Sequence, residues 1–88
     1  MPRLIPKKRF LRKAYKIAKG SNSSKEKLLR TLKILQENPF TPSLDTHKLS
    51  GNLKDTYACS VTDDIRITFM LSGDTIHLLN IGSHDEVY

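Results

Sequence analysis

Three strand-like runs joined by two short turns constrain the fold of this 88-residue chain more than any other feature. The runs are Thr56–Val61, Ile65–Leu71 and Thr75–Ile81. The first two alternate between two faces, whereas the third is more continuously apolar, as a strand covered on both faces would be. The connections at 62–64 and 72–74 have the length and composition of hairpin turns. The sequence therefore predicts a three-stranded antiparallel meander.

Two amphipathic helices are predicted before the meander. The first runs from Lys8 to Lys19 and ends at Gly20. Its predicted apolar face consists of Phe10, Leu11, Ala14, Ile17 and Ala18. The second begins at a capping box, Ser23-Ser24-Lys25-Glu26, and stops at Asn38-Pro39. Its predicted buried stripe consists of Leu28, Leu29, Leu32, Ile34 and Leu35. The short polar turn between the helices predicts an antiparallel hairpin.

The remaining segments complete a single domain over residues 1–88. Arg3–Pro6 is predicted as an edge strand or an extended arm, because proline cannot donate to a ladder. Residues 39–52 are predicted as a connector, in which His47-Lys48-Leu49 can attach to a neighbouring element. The helical hairpin is the element available to cover the meander. The expected fold is α+β, with an N-terminal strand and the hairpin packed on a mainly antiparallel sheet.

Composition excludes several classes of protein. No apolar run approaches the roughly 20 residues that a membrane helix needs, and the basic N-terminus lacks a signal-peptide core. The single Cys59 can form no internal disulfide, which agrees with a reducing cytoplasm. We therefore expect a cytoplasmic protein without a membrane partner.

Positive charge is concentrated in the first part of the chain. Residues 1–33 hold 12 Lys and Arg against one acid, whereas residues 34–88 hold 3 Lys and Arg against 8 acids. A segment with this much positive charge favours binding to a polyanion, and nucleic acid is the commonest such partner of a small protein. An acidic partner protein or a solvated helix face would produce the same pattern, so both alternatives stay open.

Arg66 is the most informative residue of the predicted sheet. It alternates with the apolar residues of its strand, so it should point away from the helices. Its planar guanidinium matches two oxygens of a phosphodiester. Pairing with Asp63, Asp64 or Asp85 would explain a strand arginine equally well.

The histidines supply groups that titrate near neutral pH. His47 and His84 could remove and donate a proton, and Arg66 could stabilise charge on phosphoryl oxygens. RNA cleavage by its own 2′-hydroxyl needs these three functions and no metal. His77 lies within a strand and is interpreted as structural or merely exposed. The histidines and the lone cysteine lack metal-ligand spacing, so no metal or other cofactor is expected.

The order of strand, basic hairpin and meander, together with three motifs, resembles the RelE/ParE superfamily of toxins and especially its YafQ-type branch. The motifs are His47-Lys48-Leu49-Ser50-Gly51, Asp64-Ile65-Arg66-Ile67 and the segment from Ile81 to Tyr88. The resemblance covers nearly the whole chain. It implies a type II toxin that cuts messenger RNA without metal, usually in the ribosomal A site, and is silenced by a co-expressed antitoxin.

The resemblance also implies roles for individual residues. His84 matches a general acid or base, and His47 matches a histidine ahead of a Leu-x-Gly pattern. Asp64 matches the acid before the central strand. Arg66 matches the arginine on the scissile phosphate, and Tyr88 matches a terminal aromatic that stacks on or orients the RNA. The candidate RNA-binding residues are Lys7, Lys8, Arg12, Lys16, Lys48 and Lys54.

Three positions depart from the YafQ-type pattern. Asn80 stands where an arginine is usual, Ile65 where a tryptophan is usual, and a histidine usual near Ser60 is missing. These changes leave the phosphate chemistry to Arg66 and the basic hairpin. The expected partners are messenger RNA, the ribosome with its 16S rRNA, and an antitoxin in a hetero-oligomer.

Two other classes of function are weighed against the ribonuclease. A ParE-like toxin would inhibit DNA gyrase by protein contact and would not need His84 and Tyr88. A non-catalytic RNA-binding module would explain the basic half of the chain, but it gives no reason for the motif at residues 82–88. The presence of both C-terminal residues favours the ribonuclease.

Overall fold

The computed structural model describes residues 2–49 and 55–87, and the predicted order of elements is confirmed there. The elements are β1 (Arg3–Pro6), α1 (Lys8–Gly20), α2 (Asn22–Glu37), a 3₁₀ turn (Pro42–Leu44), β2 (His47–Lys48), β3 (Thr56–Ser60), β4 (Ile65–Ser72), β5 (Thr75–Ser83) and α3 (His84–Val87). The predicted meander corresponds to β3, β4 and β5. A single helical turn, α3, follows β5 and was not predicted.

The strands form one five-stranded sheet in the order β1-β5-β4-β3-β2. β1 is an edge strand parallel to β5, and the other neighbours are antiparallel. The segment at His47 does attach to a neighbour, since β2 pairs with β3. The buried core joins α1 and α2 to one sheet face and consists of Phe10, Leu28, Leu35, Leu44, Cys59, Ile67, Phe69, Ile76, Leu78 and Ile81. The predicted α+β class is therefore confirmed.

One extra residue interrupts the pairing of β4 with β5. Thr68 pairs with Asn80 and Phe69 pairs with Leu78, so Leu79 has no partner on β4. Such a bulge reverses the alternation of side chains beyond it. Leu78 and Ile81 are consequently both in the core, although they are three residues apart. The prediction that β5 is covered on both faces is wrong, because its continuous apolar pattern arises from the bulge.

The start of α2 also differs from the prediction. Ser21 is the N-cap, with extended backbone at φ −160° and ψ 121°, and its hydroxyl accepts a hydrogen bond from the Ser24 N–H at 3.2 Å. The predicted capping box at Ser23 therefore lies inside the helix. Gly20 is the last residue of α1 rather than the residue after it. A single extended serine thus joins the two helices.

Two leucines assigned to the core lie at the surface. Leu11 is 52% exposed and Leu29 is 56% exposed. Each follows a buried residue, Phe10 or Leu28, and one residue turns a helix by about 100°. The stripe that each helix buries is too narrow to include both neighbours, so the predicted burial of these leucines is wrong.

The structure adds detail on the helices and on the single cysteine, Cys59. In residues 2–49 and 55–87, no helix is long and apolar enough to cross a membrane. Cys59 lies in the core, where burial raises the pKa of its thiol to about 12 although Arg66 acts in the opposite direction. The thiol is therefore a small apolar core group at neutral pH.

Leu35 and Leu29 offer a matched test of the helix orientation. Leu35→Ala should destabilise the protein by about 2–5 kcal/mol, because Leu35 is fully buried and its removal leaves a cavity. Leu29→Ala, on the same helix, should change stability by less than about 0.5 kcal/mol. Urea unfolding followed by circular dichroism measures both. Equal losses for the two variants would contradict this orientation of α2.

Candidate functional site

The sheet face away from the helices, here called the outer face, carries several candidate residues. Residues directly opposed on antiparallel strands share a face. Arg66 on β4 is opposed to Ser60 on one side and Gly82 on the other, whereas its neighbour Ile67 is in the core. Arg66 therefore belongs to the outer face. Its predicted direction, away from the helices, agrees with the register.

The Arg66 guanidinium is held by backbone carbonyls. Nη1 donates to the Thr62 carbonyl in the β3–β4 turn and, at 3.3 Å, to the Ile65 carbonyl. Among the described residues, no carboxylate forms an ion pair with Arg66. The alternative, in which Arg66 pairs with Asp63, Asp64 or Asp85, is therefore not observed in this part of the chain. Within the same ranges, no hydrogen bond engages Nη2 or Nε. Arg66 is thus oriented by the turn and keeps donors for an anion.

Asp64 and His84 lie at the same end of the sheet as Arg66. Ile65 and Ser83 are the pair at this end of β4 and β5. Asp64 directly precedes Ile65, and His84 directly follows Ser83. His84 opens α3, which contacts both strands. Its side chain is mostly exposed, and its Nδ1 lies 3.8 Å from the Asp85 carboxylate. The end of β4 and β5 therefore gathers an arginine, an acid and a histidine within a few residues of one another.

Glu86 fixes α3 against the end of the sheet, a role that the sequence reasoning missed. Its Oε1 accepts the Ser83 N–H at 2.9 Å, and its Oε2 lies 3.8 Å from Lys13 Nζ on α1. The side chain occupies the space next to Gly82, where a Cβ would lie 3.0 Å from Oε1. The Ser-x-x-Glu spacing of Ser83 and Glu86 is a capping-box signature that could have revealed this contact.

His47 lies on the outer face but on the edge strand β2. It is opposed to Ala58, which is opposed to Thr68, so one row leads from His47 to Asn80 across the sheet. At about 4.8 Å between strands and 3.4 Å between residues, the Cα atoms of His47 and Arg66 are about 12 Å apart. His47 therefore lies on an edge strand, two strands away from Arg66 on the central strand β4.

The ring orientation of His47 indicates its tautomer. Nδ1 lies 3.3 Å from the Asp45 carbonyl oxygen, which can only accept a hydrogen bond. This contact favours a proton on Nδ1 and leaves Nε2 of the neutral ring as an acceptor. Asp45 itself has a left-handed backbone with φ 50°, which turns its carbonyl in the approach to β2.

Two further polar side chains occupy the outer face. Asn80, where YafQ-type toxins usually have an arginine, ends the row from His47, and its Oδ1 accepts the Ile81 N–H at 2.9 Å. His77 is opposed to Met70, toward the end of β5 that is remote from His84. Its Nδ1 is buried and has no hydrogen-bond partner among the described residues. His77 is therefore separate from the group at Arg66.

The predicted RNA-binding cations are distributed over two surfaces. Lys7, Lys8 and Arg12 are exposed at the start of α1, in the layer that covers the inner face of the sheet. Lys16 lines a cleft of about 200 Å³ whose other walls include Ile81, Gly82 and Glu86. Lys48 is exposed on β2. The candidates Lys54 and Tyr88 lie outside the described residues.

A second cleft of about 420 Å³ lies between α2 and the β3–β4 turn. Its polar wall consists of Lys27, Arg30, Thr31, Ser43, Ser60, Thr62 and Asp63. It borders the same turn whose carbonyl holds Arg66. Among residues 2–49 and 55–87, no group of three or more His, Cys, Asp or Glu side chains is placed to ligate a metal ion.

The fold is that of a small toxin of the RelE-like class. A sequence profile described as the bacterial toxin of type II toxin–antitoxin systems, YafQ, matches residues 3–88. The chain belongs to this family of toxins. No curated protein sequence matches the chain.

Solved structures support the same assignment. A copper-bound mutant toxin from Helicobacter pylori is 27% identical, with a TM-score of 0.76 and full coverage of both chains. YafQ from E. coli strain BL21(DE3) is 18% identical, with a TM-score of 0.80 over 100% of this chain and 99% of that one. YafQ in the E. coli DinJ-YafQ complex is 21% identical, with a TM-score of 0.73 and the same coverage. The E. coli likenesses bear on the fold alone.

Acidification should loosen α3. Hydrogen bonds from the Ser83 backbone and hydroxyl, with the Lys13 ammonium nearby, lower the pKa of the Glu86 carboxyl below its usual value of 4.5. The carboxylate therefore stabilises the fold above that usual value, and this contribution is lost as the pH falls through the lowered pKa. The Ser83 amide resonance should follow that titration. Asp85→Asn should leave it unchanged, and an amide insensitive to pH would contradict the contact.

Proposed function

We propose that this toxin is a metal-independent endoribonuclease that cleaves messenger RNA, with the ribosomal A site as the expected place of cleavage. The observation that carries the proposal is the register of β4 and β5, which sets Arg66 opposite Gly82, two residues before His84. A phosphate-binding group and a proton-transfer group thereby occupy one end of the sheet. Membership of the YafQ family supports the same chemistry.

The proposed reaction needs two proton transfers. His47 accepts the proton of the 2′-hydroxyl at Nε2, the nitrogen that its contact with the Asp45 carbonyl leaves as an acceptor. The 2′-oxygen forms a bond to phosphorus, and the bond from phosphorus to the 5′-oxygen breaks. His84 gives a proton to that 5′-oxygen. The products are a 2′,3′-cyclic phosphate and a 5′-hydroxyl, and no net proton is consumed.

Arg66 has the proposed role of stabilising the phosphoryl oxygens. Its guanidinium is anchored through Nη1 to the Thr62 carbonyl, so Nη2 and Nε can point at an anion without reorganising. Asp64, at the same sheet end, is proposed to orient His84 or the RNA. Tyr88 is proposed to position a base. The span of about 12 Å between His47 and Arg66 suits a nucleotide lying across the outer face.

The proposed partners follow from charge and from the related structures. The exposed cations of α1 are suited to ribosomal RNA, including 16S rRNA, because each neutralised phosphate releases counterions. The E. coli relative was solved as a DinJ-YafQ complex, and we propose a corresponding antitoxin for this chain in a hetero-oligomer. The cytoplasm is the proposed compartment, since messages and ribosomes are found there.

Substitution of the proposed catalytic groups should abolish toxicity without unfolding the protein. We expect His84→Gln and Arg66→Gln to lower the rate of cleavage by about 10²- to 10⁴-fold, because a proton donor or a charge stabiliser is lost. Growth of a bacterial host that expresses each variant and cleavage of translated messages measure the effect.

Two matched variants control for the change of residue type. His77→Gln removes a histidine from β5, the strand that leads to His84, and Arg3→Gln removes an arginine from β1, at the remote end of the sheet. Both should keep wild-type toxicity. Toxicity at full strength in His84→Gln and Arg66→Gln would contradict the proposal, and arrest with intact messages would favour gyrase or another protein target.

The charge of α1 should act on binding rather than on chemistry. The double variant Lys8→Gln/Arg12→Gln should bind RNA more weakly, with the salt slope of the binding constant reduced by about 0.7 for each lost phosphate contact. The matched variant Lys25→Gln/Lys33→Gln removes the same charge from α2. Filter binding of ribosomes across a salt series compares them, and equal losses would mean that only net charge matters.

A further inference from the structure

We propose that Glu86 is a positioning residue, whose carboxylate clamps α3 onto Gly82 and α1 and so places the His84 imidazole for its reaction. The proposal rests on the proposed function in naming His84 as the proton-transfer group. The clamp itself rests on geometry alone. Three independent contacts meet at this one side chain.

The first contact closes the turn on itself. Glu86 Oε1 accepts the Ser83 N–H at 2.9 Å, across the two residues His84 and Asp85. A four-residue helix has little stability of its own, because one turn fixes many dihedral angles for few hydrogen bonds. This contact adds to the packing of α3 against β4 and β5 and restrains the backbone that carries His84.

The second contact ties the turn to the helix layer. Glu86 Oε2 lies 3.8 Å from Lys13 Nζ, and the Lys13 side chain is only 23% exposed. Lys13 lies one turn before Ile17, which packs against the core, so the ammonium comes from a fixed part of α1. Lys16 lines the same cleft and adds positive charge there. The ion pair therefore links α3 to the helix layer.

The third contact is steric. A Cβ at Gly82 would lie 3.0 Å from Glu86 Oε1 and 3.1 Å from Glu86 Cβ, so a side chain at residue 82 would require the Glu86 side chain to shift. Gly82 is also the residue opposed to Arg66. The clamp thus holds α3 next to Gly82, the residue opposite Arg66, which is the proposed phosphate-binding residue.

His84 lies between the two ends of the clamp. Ser83 is fixed as the last residue of β5, and Glu86 is fixed by Ser83, Gly82 and Lys13. His84 is the first residue of α3, so the backbone of this turn sets where its imidazole begins. Glu86 helps to hold that backbone in place. Misplacing a catalytic group by about 1 Å can cost about 10²-fold in rate.

Substitutions at Glu86 and its partners test the proposal. Glu86→Ala should lower kcat about 10- to 100-fold with little change in KM, since RNA binding does not use the carboxylate. Glu86→Gln should recover part of the loss, because its amide oxygen can still accept the Ser83 N–H. Lys13→Gln should have a smaller effect than Glu86→Ala, and the double variant should be no worse than Glu86→Ala alone.

A second measurement tests the Glu86 contacts without relying on ribonuclease activity. In the full-length toxin, Glu86→Ala should speed hydrogen exchange of the Ser83 amide and shift the His84 imidazole resonances in NMR spectra. Glu26→Ala, on the exposed surface of α2, should change neither. Thermal unfolding of each variant verifies that the fold persists. Gly82→Ala should reproduce the His84 shift by displacing the carboxylate.

Each outcome decides the proposal. Altered Ser83 exchange and altered His84 resonances, with a fall in kcat alone, support it. Unchanged kcat in Glu86→Ala, in a protein where His84→Gln abolishes cleavage, overturns it and leaves the ribonuclease in place. If the wild type cleaves no RNA, the proposed function fails. The NMR arm still tests the clamp, and unchanged His84 resonances in Glu86→Ala overturn it.

Discussion

The extra residue in β5 determines what the two faces of the sheet carry. Because Leu79 has no partner on β4, Ile81 returns to the core while Asn80 and Gly82 belong to the outer face. Bulges commonly re-aim side chains beside functional sites. Here the bulge sets Gly82 opposite Arg66, and the glycine leaves the space that Glu86 fills. The burial of Ile81 and the position of α3 thus both depend on the extra residue Leu79.

Local patterns predicted the elements well, because period-two and period-3.6 repeats are written in consecutive residues. The meander, the helical hairpin and the edge strand were all anticipated in this way. The bulge was not, since a mostly apolar run such as that of β5 fits a doubly covered strand as well as a shifted one. Only the pairing with Thr68 and Phe69 distinguishes the two, and that pairing is long-range.

Helix capping and side-chain burial also depend on tertiary contacts that the local sequence does not show. Two Ser-x-x-Glu patterns occur, at Ser23 and at Ser83, and tertiary context selects the second. At the first, the extended Ser21 joins the two helices and already caps α2. Leu11 and Leu29 satisfy the apolar pattern but face solvent, because each helix presents only a narrow stripe to the sheet. Residue type predicts which groups can be buried, and the crossing of elements decides which of them are.

The chemistry of the candidate site was readable from residue types, but its arrangement was not. Arg66, His47 and His84 could be named from the sequence, whereas their separation across the outer face depends on strand register. The basic charge was also readable, yet α1 and α2 together place most of it on the helix layer. The two surfaces meet at the cleft lined by Lys16 and Gly82.

The most direct test of the proposed ribonuclease is the chemistry of transcript 5′ ends in cells that express the toxin. Transcript 5′ ends are mapped in a bacterial host that expresses the wild-type chain or His84→Gln. The account predicts growth arrest with new 5′-hydroxyl ends inside translated frames, and their absence in the variant. Arrest with intact messages in both strains would contradict it, and it would leave the C-terminal turn with a structural role only.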